Sequence, residues 1–485
     1  MKNYNIKFKI VFLLILLFTL LGLAKSSLAA TCTHYVSNSG SATWALATNI
    51  NTPTNVQMAF DNAQAGNVVC FRGGTYNVPP KTDGNTYAGY YRPSHSGTSV
   101  SWITFQAYTG ETPIFNGTAE GGEFWGENGT IGETIFGVYK QKYIIFDGFT
   151  FQVDGGTKMT RMTIGSNDDS DLPPYATDYV IVRNCAFNGG SDIHTGTDNA
   201  EGLRANRAGH ITISNNTFYN YRETNNYHNT SIFKSYAVSN VVIENNVMYN
   251  SAAGIYFKSR GDTIVIKYNF IHDVANPILI STSLYYETNG SMYHNIISKF
   301  TKAGIEMWGE EDSIVNWNIY NNTVYTNSIV TGNPITIRAD YAGTGYQIYN
   351  NVLQVQGGAD YSGATLRLQG ITATTMDYNA QGDDMNVRCD GTPYTTLVSL
   401  RGASCIGLTA NNHDVHSVSG ATVFANGSGN LSLISDFALA SNSPGYHAGS
   451  DGADIGANIS LVGIQSSNPA PDIIPPAIPS GVTVS

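Results

Sequence analysis

Short runs of alternating apolar and polar residues recur through the middle of the chain, and each run ends in the same way. An asparagine follows the run, and an apolar residue stands two positions further on. The asparagines are Asn216, Asn246, Asn269, Asn295, Asn322 and Asn351, at spacings of 23 to 30 residues. Cys185 and Phe149 extend this series upstream. Alternation with a period of two predicts β-strands, and self-similarity at a period of 20–50 residues indicates a repeat architecture.

These repeats predict an all-β fold, a right-handed single-stranded parallel β-helix in which each repeat forms one coil. Equivalent residues of successive coils then stack, so each asparagine can pass a side-chain hydrogen bond to the next. Such a ladder satisfies polar groups that cost about 1–3 kcal/mol each when they are buried and unpaired. Cys185 stands in the same column, so we expect a buried and unreactive thiol there.

The chain divides into four segments. Residues 1–29 combine a basic start, an apolar core and a small-residue cleavage site, which is the pattern of a secretory signal peptide. Residues 30–100 predict an N-terminal cap with a short helix and the first coils, residues 101–457 the β-helix, and residues 458–485 a proline-rich linker. The apolar run is short for a membrane span, which disfavours an uncleaved anchor. We therefore expect a secreted protein, either extracellular, periplasmic or at the cell surface.

The balance of charge narrows the range of partners. Four of the 25 basic residues and none of the 36 acidic residues lie in the signal segment, so the mature chain would carry 21 basic and 36 acidic residues, a formal net charge of −15. A chain this acidic is a poor ligand for nucleic acid. We expect no nucleic-acid partner, no membrane contact after signal cleavage, and a monomer.

Five cysteines in an oxidising compartment favour disulfide bonds. Cys32 and Cys70 bracket the N-terminal segment, and Cys389 and Cys405 bracket a polar loop. We expect these two pairs, with the connectivity left open because spacing alone does not determine it.

Several segments carry a family resemblance. They are YVSNSGS, QMAFDNAQAGNVVCFRGGTYNV, ITFQAYTGETPIFNG and YIIFDGFTF. Over roughly residues 35–457 the chain resembles secreted bacterial right-handed β-helix proteins of the pectate-lyase-like superfamily. The resemblance implies a pectate-lyase-like solenoid and leaves the reaction open, because the superfamily includes polysaccharide lyases, glycoside hydrolases, epimerases and members without known activity.

Basic residues are scarce in this chain, yet several fall on one predicted face. The segments SIFKSYA and GIYFKSR share Phe-Lys-Ser, and aligning this repeat places Lys234 beside Lys258 on an exposed sheet. Clustered cations lower the pKa of a lysine and make a neutral base available. We therefore predict that Lys258 removes the proton α to a uronate carboxylate. Lys234, Arg260 and Arg204 are predicted to bind or neutralise that carboxylate. The structural alternative is that these are solvated surface residues.

Three further residues on this face are predicted to bind substrate, namely Tyr256, Trp308 and Arg338. The two aromatic rings would stack on sugar faces in a lyase or in a hydrolase. The cluster of basic residues favours β-elimination of an extracellular acidic polysaccharide.

Two other classes of function stay open. Glu306, Glu310 and Asp340 lie on two adjacent predicted coils, and paired carboxylates suit glycoside hydrolysis. Ion pairing with Arg338 is the structural alternative for these acids. The third class is a non-catalytic cell-surface protein that binds glycans or has a structural role.

The resemblance also implies a calcium ion beside the base, since lyases of this superfamily often bind Ca²⁺ through several acidic residues. Calcium takes about 6–8 oxygen ligands. The coils that carry the two lysines begin without acidic residues, and Asp198 and Glu201, one coil earlier, are weak candidates for ligands. The alternative is that both are polar loop residues.

Overall fold

The computed structural model describes most of the chain between residues 31 and 465. The described ranges are 31–78, 90–117, 134–153, 160–166, 171–191, 193–194, 200–224, 229–282, 287–309, 313–326, 334–355, 364–383, 385–403, 408, 413–427 and 431–465. The predicted signal peptide lies outside these ranges. Within them, no helix has both the length and the apolar character needed to span a membrane.

Strands dominate the described structure. The helices are α1 Val56–Asn62 and α2 Leu397–Arg401, with 3₁₀ turns at Trp44–Leu46 and Ile434–Phe437. The strands are β1 His34–Val36, β2 Val68–Phe71, β3 Gly74–Val78, β4 Ile103–Ala107, β5 Pro113–Gly117, β6 Thr134–Val138, β7 Lys142–Asp147, β8 Thr150–Val153, β9 Thr160–Gly165, β10 Thr177–Arg183, β11 Ala186–Asn188, β12 Ile193–His194, β13 Glu201–Ser214, β14 Thr217–Tyr219, β15 Arg222–Glu223, β16 Ser231–Glu244, β17 Val247–Lys267, β18 Phe270–Ser281, β19 Glu287–Tyr293, β20 Ile296–Ser298, β21 Ala303–Trp308, β22 Ile314–Tyr320, β23 Thr323–Thr326, β24 Ile335–Thr344, β25 Gln347–Tyr349, β26 Val352–Val355, β27 Ala364–Thr372, β28 Thr375–Asp377, β29 Ala380–Gln381, β30 Val387–Cys389, β31 Thr392–Tyr394 and β32 Val418–Ser419.

Parallel pairing assembles these strands into three long sheets. Sheet A contains β6, β9, the first parts of β13 and β16, the middle of β17, the end of β18, then β21, β24, β27 and β30. Sheet B runs from β1 to β28 through the second parts of β13 and β16. Sheet C runs from β3 to β32. Each coil contributes to all three sheets in turn, which confirms the predicted right-handed parallel β-helix.

Alternation along each strand decides which side chains fill the coil. The inward row of sheet A is a continuous apolar stack in which every residue is buried, made of Met162, Leu203, Phe233, Ile255, Ile278, Ile305, Ile337 and Leu366. Burial of each such side chain stabilises the fold by about 1.5–3 kcal/mol. Ile255, Ile278, Ile305 and Ile337 thus face the interior.

The asparagine ladder forms the corner between sheets B and C. The Nδ2 group of Asn295 donates to Oδ1 of Asn322 at 3.0 Å and to the carbonyl of Ile266 at 2.8 Å. Its Oδ1 accepts from both the backbone N and the Nδ2 group of Asn269, each at 3.0 Å. The amide therefore links three successive coils.

The ladder is longer than the sequence predicted. The Nδ2 group of Asn351 donates to Oδ1 of Asn379 at 3.1 Å, and the backbone N of Asn379 donates to Oγ of Ser417 at 2.9 Å. At the other end, the backbone N of Cys185 donates to Oδ1 of Asn216 at 2.9 Å. Asn379 stands 28 residues after Asn351, a spacing typical of the series.

A left-handed residue precedes each rung and turns the chain through the corner. Their φ angles lie between 52° and 57°, and the residues are Asn184, Asn215, Asn245, Tyr268, His294, Asn321, Asn350 and Tyr378. Asparagine tolerates this conformation better than most residues. This preference explains why the pattern Asn-Asn recurs in the sequence.

The short helix of the N-terminal segment and one of the two predicted cysteine pairs are present in the described residues. Helix α1, capped by the side chain of Asn55, packs Phe60 against the first coils. Cys32 and Cys70 form a disulfide bond. Cys389 is also disulfide-bonded, while its predicted partner Cys405 lies outside the described residues. Cys185 is buried with a free thiol, and burial raises its pKa to about 12, as expected for an unreactive rung.

The C-terminal strap, residues 450–465, runs back along the outside of the β-helix. Ser450 contacts Asn350, and the backbone N of Asn458 donates to Nδ1 of His294 at 3.1 Å. The backbone N of Gln465 donates to Oδ1 of Asn215 at 3.2 Å. The strap thus crosses six coils beside the ladder, and the described structure continues past the predicted boundary at residue 457.

We expect Asn295→Ala to lower the free energy of unfolding by roughly 3 kcal/mol or more, because it leaves several buried groups of neighbouring coils unsatisfied at about 1–3 kcal/mol each. Chemical denaturation followed by circular dichroism measures this change. Asn77→Ala, at an exposed position of β3, is the control and should change stability little. Equal effects of the two substitutions would contradict a stabilising ladder.

Candidate functional site

Five of the predicted site residues lie on one outward row of sheet A. Strand pairing aligns, on successive coils, Arg204, Lys234, Tyr256, Leu279, Glu306, Arg338 and Arg367. Neighbours along this row are about 4.8 Å apart. The row therefore separates into a part with two cations and a part with one carboxylate and two arginines, with Leu279 between them.

The alignment of the two Phe-Lys-Ser segments is wrong. Phe233 pairs with Ile255, so Lys234 lies opposite Tyr256 rather than Lys258. The register shifts after Ser235, and Tyr236 pairs with Ser259. Lys258 is the extra residue of this irregularity, and an inserted residue of this kind changes the direction of the strand locally. The repeated tripeptide therefore does not mark equivalent positions.

The prediction that these residues are exposed is also wrong for several of them. Arg204 and Lys234 are fully buried, and Tyr256, Glu306 and Asp340 retain only 2–6% of their accessible surface. Lys258, Arg260, Trp308 and Arg338 are partly exposed. Most of the charge on this face is therefore removed from solvent.

Arg204, Lys234 and Lys258 form the basic patch, together with the rings of Tyr236 and Tyr256. Nζ of Lys234 lies 3.7 Å from Oε1 of Glu201, donates to Oδ1 of Asn229 at 3.3 Å, and sits 5.7 Å from the centre of the Tyr256 ring. The Tyr236 ring has the Arg204 guanidinium at 5.1 Å and Nζ of Lys258 at 5.5 Å. Three cations thus converge around two phenol rings.

Burial is the main influence on the protonation of Lys234. It lowers the pKa of the Lys234 amine to about 7, and the positive charges of Arg204 and Lys258 act in the same direction. The carboxylate of Glu201 opposes the shift. A lysine in this environment is partly neutral at physiological pH and can accept a proton.

Two residues of this region were not predicted from the sequence. Arg161 on β9 is buried, donates from Nε to the carbonyl of Asn188 at 3.1 Å, and lies 5.1 Å from the centre of the Tyr221 ring. Glu223 on β15 is buried and its charge opposes the lowered pKa of Lys234. Extending the strand alignment one coil upstream pairs Arg204 with Thr163, and Arg161 lies two residues before it on the same face of β9. Glu223 lies on a connection of irregular length, where no periodic signal exists.

Arg260 lies at the corner between sheets A and B, away from the Lys234 row. Ala237 and Arg207 hold the equivalent positions on the two preceding coils. The φ of Arg260, 52°, equals that of Ala237 and is close to the 46° of Arg207. Both arginines act on the buried phenol of Tyr175, whose pKa is raised by burial and lowered by their charges. The structure thus separates Arg260 from the predicted lysine pair by a turn.

The predicted carboxylates form an arginine–carboxylate row, consisting of Glu306, Arg338, Asp340 and Arg367. Arg338 contacts Oε1 of Glu306 at 2.8 Å and Oδ2 of Asp340 at 2.6 Å, and Nε of Arg367 lies 3.0 Å from Oδ1 of Asp340. The Arg338 guanidinium also lies 5.3 Å from the centre of the Trp308 ring. Both described acids are therefore ion-paired, and Glu310 lies outside the described residues.

Glu201, the candidate calcium ligand among the described residues, is already engaged by other groups. Both oxygens of the Glu201 carboxylate are engaged, with Thr160 Oγ1 at 2.7 Å on one and Arg204 and Lys234 on the other. Asp198 lies outside the described residues. Among the residues that the structure describes, no three acidic, histidine or cysteine side chains converge as a metal site would require. No step of the chemistry below is assigned to a metal ion.

Comparison with known proteins agrees with the fold. Residues 175–353 match the family described as the right handed beta helix region. No curated protein matches the chain. Among solved structures it is similar to pectate lyase Pel9A, with a TM-score of 0.49 and 14% identity over 88% of this chain and 96% of that one. It is also similar to the A-module of the Azotobacter vinelandii mannuronan C-5 epimerase AlgE4, with a TM-score of 0.46 and 12% identity over 73% and 87%.

A third similar structure belongs to another class of enzyme. It is the GH136 lacto-N-biosidase from Eubacterium ramulus, with a TM-score of 0.41 and 12% identity over 82% of this chain and 69% of that one. Likenesses at such identities and TM-scores carry no argument about the reaction. The chain is a right-handed parallel β-helix protein.

We expect Arg338→Met to destabilise the protein by roughly 3–5 kcal/mol, because it removes a cation shared by two buried carboxylates. The midpoint of urea denaturation measures the change. Lys302→Met, at an exposed position of the preceding coil, is the matched loss of one cation and should have little effect. A destabilisation of the same size in both variants would show that the row is not held by these ion pairs.

Proposed function

We propose that the protein cleaves an extracellular acidic polysaccharide by β-elimination at the basic patch. The observation that carries this proposal is the position of Lys234, whose pKa is lowered to about 7 between two further cations on one sheet. Such a group can act as a base at neutral pH, while its neighbours attract a carboxylate. Because the pKa of Lys234 is lowered, we assign the base to Lys234 rather than to the predicted Lys258.

In this proposal the Lys234 amine takes the proton from the sugar carbon next to the carboxylate. The electron pair of that C–H bond forms a carbon–carbon double bond, and the bond to the glycosidic oxygen breaks. The oxygen leaves with its electron pair and takes a proton from water, and the Lys234 ammonium returns its proton to the resulting hydroxide, so atoms and charge balance. Arg204 and Lys258 stabilise the negative charge that develops on the carboxylate. Because Tyr236 and Lys258 are partly exposed and Lys234 is buried, we place the sugar on their side of the patch.

The hydrolase alternative has weaker support. A hydrolase needs one carboxylate that carries a proton and another that attacks or activates water. Glu306 and Asp340 are instead buried in ion pairs with Arg338 and Arg367, so both carboxylates are already engaged by cations. A glycan-binding protein without activity is the outcome that remains when neither reaction is observed.

Incubation with polygalacturonate, alginate and chondroitin should produce ultraviolet absorbance from unsaturated uronides with at least one of these polymers. Lys234→Met should lower kcat/KM by about 10²–10⁴-fold, the contribution typical of a general base. Lys302→Met is the control and should leave the rate unchanged. New reducing ends without absorbance would indicate hydrolysis. Full activity of Lys234→Met would refute its role as the base.

The pH dependence provides a separate test. The neutral amine is the active form, so kcat/KM should rise with pH through about 7 and then level off. The charge of Glu201 raises the pKa of Lys234, so Glu201→Gln should move this rise to lower pH. Rate measurements between pH 5 and 9 on both proteins check the direction. A rise displaced to higher pH in Glu201→Gln would contradict the assignment.

A further inference from the structure

Two neighbouring cavities lie outside the basic patch, at the corner where sheet C leads into sheet A. One has a volume of about 640 Å³ and is lined by residues that include Arg222, Asn250, Asp273 and Lys299. The other has a volume of about 460 Å³, and its lining includes Gln152, Asn188, Asn220 and Arg222. Because Arg222 lines both, we describe them together as the corner trough.

The corner trough is long and follows the axis of the β-helix. Strand pairing in sheet C places Gln152, Asn188, Tyr219, Tyr249, His272 and Ser298 on six successive coils. The lining runs from the first of these coils to the last. Five steps of about 4.8 Å give a length of roughly 24 Å. A cavity of this shape suits an extended chain better than a compact small molecule.

The trough has a floor of fixed amides. Nδ2 of Asn250 donates to Oδ1 of Asn220 at 2.6 Å, and Nδ2 of Asn220 donates to Oδ1 of Asn188 at 3.2 Å. Asn220 and Asn250 both have left-handed φ angles, of 69° and 51°. The bonds between the amides hold the side chains in one orientation. Oδ1 of Asn188 also accepts from the backbone N of Gly190 at 3.0 Å, so both of its lone pairs are used. Asn220 and Asn250 each have one further N–H group and lone-pair capacity that can bind hydroxyls.

The charges along the trough are balanced. Arg222 donates to the carbonyls of Gly190 and Ser191, and Lys299 lies 3.9 Å from Asp273. Asp273 also contacts His272, whose hydrogen bond lowers the pKa of the carboxyl group. Donors and acceptors therefore alternate along the trough without an excess of either charge. This lining suits the hydroxyl groups of a sugar chain, which donate and accept hydrogen bonds in equal measure.

We propose that the corner trough binds a second stretch of a polysaccharide chain through its hydroxyl groups, apart from the stretch held at the basic patch. The identity of the polymer rests on the function proposed above. Glu223 lines the trough and also acts electrostatically on Lys234, so the two sites lie close together. A long polymer can then contact both sites at once, and a bivalent ligand of this kind binds more tightly than either part alone.

The test measures binding in a protein that does not cleave its ligand. Lys234→Met supplies this background, and affinity electrophoresis in gels containing alginate, polygalacturonate or chondroitin supplies the measurement. Adding Lys299→Gln and Thr301→Trp removes a hydrogen-bonding cation and fills the trough. These changes should weaken polymer binding by about tenfold, the effect of losing one hydrogen bond to a charged group. Lys142→Gln is the matched control, since Lys142 is also a partly exposed lysine beside a carboxylate, on sheet B.

The outcomes separate the two proposals. In the Lys234→Met background, loss of polymer binding in Lys299→Gln/Thr301→Trp but not in Lys142→Gln supports the trough. With Lys234 intact, Lys299→Gln/Thr301→Trp should retain lyase activity on short oligosaccharides. Unchanged polymer binding in the trough variants would overturn the trough whether or not the protein with Lys234 intact is a lyase. Loss of binding in the trough variants, when the protein with Lys234 intact shows no lyase activity, would support the trough and overturn the proposed reaction. If none of the three polymers binds, both proposals fail.

Discussion

The rest of the structure depends on one interaction, the hydrogen bonding of each ladder asparagine to the coils on either side. Asn295 donates to Asn322 on the following coil and to Ile266 on the preceding coil, and its oxygen accepts from Asn269, so each coil must adopt the register of its neighbours. The corner between sheets B and C is therefore the same in every coil that carries a rung. Variation in length is left to the other corners. Between sheets C and A the connection after Tyr219 is long, whereas that after Tyr249 is short. The basic patch and the trough both adjoin this variable corner.

Much of the fold could be predicted because it repeats. The asparagine series, the inward apolar rows and the column position of Cys185 all follow from one periodic signal, and the structure contains each of them. Asn379 was missed although its spacing fits, because the strands around it are short and the flanking sequence is less regular. A repeating sequence pattern is easiest to recognise where many successive coils share it, and it weakens towards the end of a solenoid.

The site was less predictable than the fold, and the reasons are physical. Lys234 and Lys258 occur in identical tripeptides, yet one extra residue in β17 shifts the register between them. No composition rule predicts such an insertion. The burial of the site residues could not be predicted either, because the outward face of a sheet is covered by connections that do not repeat. Glu223, from one of these connections, contributes to the environment of Lys234. The residue types of the site were visible, whereas their environment depends on chain segments that carry no period.

The charged side chains of sheet A form two separate groups and are not spread evenly over its surface. At one end, cations outnumber acids around Lys234, and burial keeps that lysine partly neutral. Three coils further on, Arg338 and Arg367 alternate with Glu306 and Asp340 and neutralise them. Leu279, which is buried, lies between the two arrangements. The protein as a whole is acidic, so the excess of positive charge near Lys234 is a local property of three adjacent coils.

The C-terminal strap has a consequence for how the chain becomes a folded protein. In a solenoid each coil normally contacts only its neighbours, so coils can form one after another as the chain is synthesised. Here Gln465 bonds to Asn215 across 250 residues of sequence. That bond cannot form until synthesis has passed the last coil, and it then ties the late end of the chain to an early coil. The strap thus adds a late, long-range contact to a fold whose other contacts are mostly between neighbouring coils. Fraying of the coils that it crosses requires the strap to detach first.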